Sequence, residues 1–208
     1  MKISIGILTG GKSKRMGANK AFLKYNEERN FLEHALDEAL AVSDDVILSV
    51  DEEGKYVNFL KGREKAGLKL AEDERKNYGP LEGIYQILKA TKEDYCFIFA
   101  VDMPYVNGEF INNFTSYINL GGKTKTKQKK TNAYILNSNN GIEPLCSLYS
   151  KGCLPYIEKL FEKDEHKLRM LFEESLKYET VEICEFYKED NVGLNINTPS
   201  DYKELFLK

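Results

Sequence analysis

No stretch of the 208 residues approaches the roughly 20 consecutive apolar positions of a membrane span. The first apolar run is interrupted by Ser4 and Gly6 and enters a charged loop without a signal-peptide cleavage pattern, so a soluble, cytoplasmic protein is expected. Metal-binding side chains are scarce. There are two histidines, and Cys96, Cys146, Cys153 and Cys184 have no C-x-x-C spacing, which argues against structural zinc and fits buried thiols in a reducing compartment. A formal net charge of −3 leaves no general excess of positive charge, so nucleic acid is not an expected partner. Neither an internal repeat nor a linker divides the chain, and residues 1–208 are read as one α/β domain.

Glycine and positive charge are instead concentrated in Leu8-Thr9-Gly10-Gly11-Lys12-Ser13-Lys14-Arg15-Met16-Gly17-Ala18-Asn19-Lys20. The run Lys2–Leu8 before it suits a buried first strand of a parallel sheet, which puts this loop at the strand's carboxyl end, where open α/β sheets bind ligands. Gly10 and Gly11 allow the backbone to approach a ligand closely and can take positive φ, while Lys12, Lys14, Arg15 and Lys20 add charge, so the loop is built for phosphate. It is neither of the common glycine loops. G-x-G-x-x-G is missing, and Ala18-Asn19-Lys20 after Gly17 breaks the G-x-x-x-x-G-K-[ST] pattern.

Further along, Asn30 and Glu33 predict a capping box for a helix with Phe31, Leu32, Ala35, Leu36, Ala39 and Leu40 on its apolar stripe. His34 falls beside that stripe and is assigned a packing or surface role. Asp45–Val50 reads as the second strand, Tyr56–Leu60 as a short helix, and Leu68–Ala71 as a third strand. Gly79-Pro80 opens a helix carrying Leu81, Ile84, Ile87 and Leu88. Tyr95–Val101 is apolar throughout, as a central strand covered on both faces should be, and it ends at Asp102-Met103-Pro104. Asp102 either caps the turn that follows or holds a metal carried by phosphates.

Phe110–Ile118 is the next amphipathic helix. The tract Gly121–Thr131 is basic and of low complexity. It could grip an anionic substrate or an acidic partner, and the reading favoured is a mobile, solvated loop. Thr131–Leu136 and Pro144–Tyr149 suit paired strands around the turn Asn137–Gly141, making the sheet mixed if they pair antiparallel. Helices over Cys153–Glu162 and Lys167–Lys177, a strand over Tyr178–Ile183, and a last helix with Thr198 as N-cap and Pro199 at its first position complete the reading.

The first loop resembles the signature G-G-x-S-x-R-M-G-x-x-K of nucleotidyltransferases with a Rossmann-like fold. Together with Gly79–Ile84, Asp102-Met103-Pro104, Glu143–Tyr149 and Asn195-Ile196-Asn197-Thr198-Pro199, it resembles in order and spacing the molybdenum cofactor guanylyltransferases. That resemblance implies a mostly parallel central sheet with helices on both faces and an antiparallel addition. It implies transfer of GMP from GTP to the terminal phosphate of molybdopterin with release of pyrophosphate. Mg²⁺ would be the cofactor and GTP and molybdopterin the substrates, with transient contact with molybdoenzyme maturation proteins and no nucleic acid or membrane partner.

By the same resemblance Leu8, Thr9, Gly10 and Gly11 set backbone against the nucleotide, Arg15 and Lys20 bind its phosphates, Ser49 matches a nucleotide-contacting position, and Asp73 contacts the guanosine. Lys20, Arg15 and Asp102 carry catalysis, Asp102 as the metal ligand. Asn195 and Asn197 lie on the molybdopterin side, with Lys167 and Arg169 as contacts for its phosphate; Asn197 has the alternative of belonging to the helix cap.

Three departures from the family pattern stand out. Asn19 replaces the usual aspartate before the lysine, Thr9 replaces the usual alanine, and Lys24–Asn30 lacks a Gly-x-Pro turn. Rival readings are a cytidylyltransferase for the same cofactor, a sugar- or polyol-phosphate nucleotidyltransferase, and a non-catalytic delivery protein, the last opposed by the presence of both Lys20 and Asp102.

Overall fold

The computed structural model describes residues 1–10, 19–52, 54–60, 67–120, 131–176, 180–186 and 191–206. Gly11, Arg15 and their neighbouring lysines in the first loop, and the basic tract through residue 130, lie outside the described residues.

Seven strands form one sheet: β1 (Ser4–Leu8), β2 (Val46–Val50), β3 (Leu68–Glu72), β4 (Tyr95–Ala100), β5 (Ala133–Ser138), β6 (Gly141–Ser150) and β7 (Val181–Glu185). Their spatial order is β3-β2-β1-β4-β6-β5-β7. The first four are mutually parallel, β6 runs antiparallel to both of its neighbours, and β7 is parallel to β5. The mixed, mostly parallel sheet expected from the sequence is therefore present.

Strand alternation divides the core. On β4, Phe97 and Phe99 join a cluster with Phe110 and Phe114, while Cys96 and Ile98 point into a second cluster with Ile84 and Ile87. Helices α1 (Phe31–Val42), α2 (Gly54–Leu60), α4 (Gly108–Asn119) and α7 (Pro199–Leu205) cover the first face. The second is covered by α3 (Pro80–Ala90), α5 (Leu154–Glu162) and α6 (Leu168–Leu176). Among the described residues no helix is long and apolar enough to cross a membrane.

Local signals act where the sequence places them. Asn30 and Glu33 form the capping box of α1, and Thr198 caps α7 with Asp201 completing a second box. Leu40 is only half buried, at the edge of the α1 stripe. The largest boundary correction concerns the β5–β6 hairpin. Asn137 and Ser138 belong to β5 and Gly141 begins β6, which leaves Asn139-Asn140 as a two-residue turn. Gly141, the first residue of β6, has φ of 109°, a left-handed value that glycine takes without steric cost, and the connection is shorter than the loop expected. β7 likewise begins later than expected, at Val181, and extends to Glu185 in register with Asn137.

At the amino ends of the strands the sheet is stapled. Buried Asp45 lies 2.6 Å from Lys69 Nζ and accepts hydrogen bonds from Ser4 Oγ at 2.5 Å and Lys92 N at 2.7 Å. Burial works to raise its pKa, and these donors outweigh that and hold it below the ordinary carboxylate value. The carboxyl ends are left open, and the order reverses between β1 and β4, which is where an α/β sheet forms a crevice.

Candidate active site

A cavity of about 360 Å³ lies over the carboxyl ends of β1, β2 and β3. Leu8 and Gly10 come from β1 and its loop, Ser49 and Asp51 from the end of β2, Asp73 from the end of β3, and Gly79, Pro80 and Gly83 from the start of α3. Gly10 is exposed, nothing approaches its Cβ position within 4 Å, and its φ is not positive; close approach, rather than an unusual conformation, is what glycine provides there. Thr9, standing where alanine is usual, turns its hydroxyl away from the cavity and donates to the Ser49 carbonyl at 2.6 Å.

Ser49 Oγ donates to Asp73 Oδ1 at 3.3 Å, joining two residues that the resemblance assigns to nucleotide contact. The Asp73 carboxyl is pushed up to about 6, first by burial and then by the charge of Glu82, against the lowering effect of the Ser49 hydrogen bond. Glu82 lies within the Gly79–Ile84 block and has no role assigned from sequence. It is fully buried in the first turn of α3, accepts from Glu74 N, Arg75 N and Gln86 Nε2, and pairs with Arg75 at 3.2 Å. A buried glutamate within Gly79–Ile84 thus shapes the β3–α3 loop. Also missed were Glu52, Lys55, Lys76 and Asn77 on the cavity wall; Lys55 already pairs with Asp51 at 2.9 Å.

Lys20 stands at the seam between β1 and β4. It opens a 3-10 turn, Lys20–Phe22, whose N-cap is Asn19: the Asn19 side chain accepts from Ala21 N at 3.0 Å and donates to Tyr56 OH at 3.3 Å. Asparagine and aspartate cap equally well, so the Asn19 departure leaves the lysine seated. The missing Gly-x-Pro turn is replaced by Asn26, whose Oδ1 accepts from Glu28 N and Arg29 N beneath a bridge between Lys24 and Asn30.

Lys20 Nζ lies 2.6 Å from Asp102 Oδ2 and 2.8 Å from Asn197 Oδ1. Each partner of the ion pair keeps 16% of its side chain exposed, so the pair is sheltered yet reachable. The Asp102 carbonyl accepts from Ile196 N at 2.9 Å, which binds the Asn195–Asn197 segment to the end of β4. Asn197 makes two separate contacts, its side chain meeting Lys20 while its backbone N–H donates to the capping carboxylate of Asp201 at 2.8 Å. Asn195 is half buried, with Nδ2 3.4 Å from the Gly193 carbonyl.

His34 is buried as a packing residue. It stacks on Tyr25 with ring centroids 3.8 Å apart, and its Nε2 lies 3.1 Å from the Pro104 carbonyl, which can only accept, so that nitrogen carries the proton. Burial lowers its pKa. Lys167 and Arg169 stand exposed at the start of α6, on the other helical layer, and among the described residues form no ion pair or hydrogen bond with Lys20, Asp102 or Asn197.

The arrangement is a nucleoside-sized cavity beside a lysine–carboxylate pair that a late segment of the chain approaches from the opposite side. A model of the MobA-like NTP transferase domain matches residues 5–181. A protein of Clostridium perfringens named "Probable molybdenum cofactor guanylyltransferase" is 35% identical over 215 residues, covering 100% of this chain and 98% of its own. One of Methanosarcina mazei with the same name is 32% identical over 207 residues, covering 96% and 88%. The solved structure of molybdopterin-guanine dinucleotide biosynthesis protein A from Archaeoglobus fulgidus shares the fold, with a TM-score of 0.73 at 20% identity over 98% of this chain and 96% of that one.

Proposed function

The chain belongs to the MobA-like NTP transferase family, and on that premise we propose that it transfers GMP from GTP to the terminal phosphate of molybdopterin and releases pyrophosphate. Relatives that carry the guanylyltransferase name along their full length support the reading. The observation that carries it is the Lys20–Asp102 pair with Asn197 beside it, between the cavity and the Asn195–Asn197 segment.

In this reading a phosphate oxygen of the acceptor attacks the α-phosphorus of GTP, and the bond from that phosphorus to the β-phosphate oxygen breaks. The protein has to align two anions and offset their charge. Leu8, Thr9 and Gly10 set backbone against the nucleotide, and Ser49 and Asp73 face the nucleoside from the cavity. Lys20 exchanges Asp102 for phosphate oxygens, while Arg15 and Gly11 of the first loop complete the phosphate contacts. Asn197 holds Lys20 from the acceptor side, and Asn195 lies next to it.

Among the described residues no three His, Cys, Asp or Glu side chains converge as a metal cage. A single carboxylate, Asp102, fits Mg²⁺ that takes its remaining ligands from the triphosphate and water. When bound there, Mg²⁺ would neutralise charge on the phosphate oxygens and on the departing pyrophosphate.

Pyrophosphate release measured with molybdopterin and each of GTP, CTP, ATP and UTP tests the proposal. GTP is expected to be preferred, and preference for CTP would overturn the base assignment.

A further inference from the structure

The Glu143–Tyr149 stretch supports the family resemblance, yet none of its side chains has a part in the chemistry above. The structure shows what the stretch builds. Tyr134 lies opposite Leu148 and Leu136 opposite Glu143, so β6 holds extra residues between two registers of the same ladder. The bulge spans Pro144–Ser147 opposite the single residue Ile135, and Pro144 has no N–H to give. Its exposed backbone groups are satisfied by two fully buried side chains of the same stretch. Ser147 Oγ donates to the Glu143 carbonyl at 2.7 Å and accepts from Leu136 N at 3.0 Å, and Tyr149 OH donates to the Pro144 carbonyl at 2.7 Å.

The bulge re-aims Glu143. Its carboxylate is pressed against buried Gly193, where a Cβ would lie 2.5 Å from Oε1, so a side chain at 193 would displace it. The Ser138 hydroxyl hydrogen-bonds to it, and among the described residues no lysine, arginine or histidine forms an ion pair with it. Gly193 leads directly to Asn195, whose Nδ2 approaches the Gly193 carbonyl, and on to Asn197 at Lys20. Cys146 of β6 lies opposite Phe99 of β4, so Glu143, three residues earlier, stands at the carboxyl end of β4 that also carries Asp102, and the stretch from Gly193 to Ile196 touches both.

An ionised carboxylate accepts hydrogen bonds and repels anions. It cannot serve the acceptor's phosphate, which belongs at Lys20, and it suits an uncharged end of the acceptor that carries N–H groups. We propose that Glu143 is a specificity-determining residue that reads the acceptor's heterocycle, accepting the paired N–H donors of a 2-amino-4-oxopyrimidine edge. The inference rests on the acceptor being a pterin phosphate, as in the function proposed above, and it assigns the recognition of that pterin to the bulged end of β6.

The test compares wild type with Glu143→Gln, which keeps the shape and removes the charge. The KM for molybdopterin is expected to rise roughly 10-fold or more, as for loss of a charged hydrogen-bond acceptor, with the KM for GTP and the thermal midpoint unchanged. As competitive inhibitors, 6-hydroxymethylpterin should outperform 6-hydroxymethyllumazine, which has an oxo group in place of the 2-amino group, and that preference should collapse in the variant. An unchanged molybdopterin KM in Glu143→Gln, or an equal rise in both KM values, overturns the inference while leaving the functional reading standing. A wild type that consumes molybdopterin with no nucleotide overturns the functional reading, and this inference with it.

Discussion

Lys20 and Asp102 are 82 positions apart in the chain, and their side chains meet with Nζ 2.6 Å from Oδ2. Each neutralises the other in the free protein, so removing one leaves its partner sheltered and uncompensated, whereas removing both does not. Asp102→Asn is expected to lower turnover by roughly 10²-fold or more while the fold persists. Lys20→Met should do the same, and the double variant should melt no lower than either single one. Steady-state pyrophosphate release and thermal denaturation of the three variants check this; wild-type-like turnover in Asp102→Asn would refute the role given to that carboxylate.

The Asp73 carboxyl, raised to about 6 by burial and the charge of Glu82, couples stability to pH in the direction opposite to a salt-bridged acid. Because the folded protein holds this proton more tightly than the unfolded chain does, the group costs nothing below about pH 4. The cost grows as pH rises to 6 and is complete above it. Asp73→Asn should therefore raise stability at pH 7.5 by about 1 kcal/mol, a value discounted for solvent screening of a half-buried group, and change it little at pH 4.5. The same variant should bind GTP more weakly. Melting curves at the two pH values, with nucleotide titrations alongside, distinguish this from a purely structural role.

Gly79 has φ 66° and ψ −154° immediately before Pro80, a conformation that side chains resist. Gly79→Ala is expected to cost about 1–3 kcal/mol in denaturant unfolding. It should also weaken nucleotide binding, because Gly79 and Pro80 form part of the cavity wall.

Asn197 and Asp201 separate cap from chemistry. The cap uses the Asn197 backbone N–H and the Asp201 carboxylate, whereas Lys20 is met by the Asn197 side chain. Asn197→Ala should leave the melting temperature unchanged and reduce turnover. Asp201→Ala should lose about 1 kcal/mol of stability as a capping defect. Equal destabilisation by both changes would count against this division.

Sequence alone showed the first strand ending at Leu8, the capping box of α1, the Thr198 N-cap of α7 and the apolar central strand, because each is written in neighbouring residues. Lys20, Asp102 and Asn197 were each picked out by motif, but their meeting was not legible, since it depends on how β1, β4 and the Asn195–Asn197 segment are brought together. Glu82 and Glu143 escaped assignment for a related reason. Acidic residues in a helix and a strand read as ordinary solvated charges until Glu82 is seen to be fully buried and Glu143 to rest on Gly193. Lys167 and Arg169 stand exposed at the start of α6, on the face that α3 also covers, and their assignment to a phosphate rests on the resemblance alone.

The hydrogen bonds from Lys20 to Asn197 and from Tyr202 OH to the Lys24 carbonyl join positions 177 and 178 apart. During synthesis the first loop and its lysine emerge early, long before the residues that seat them. A chain that stops after β4 contains Lys20 and Asp102 and lacks both Asn197 and Tyr202. The contacts that seat this lysine and the turn behind it are therefore complete only once residue 202 has been made.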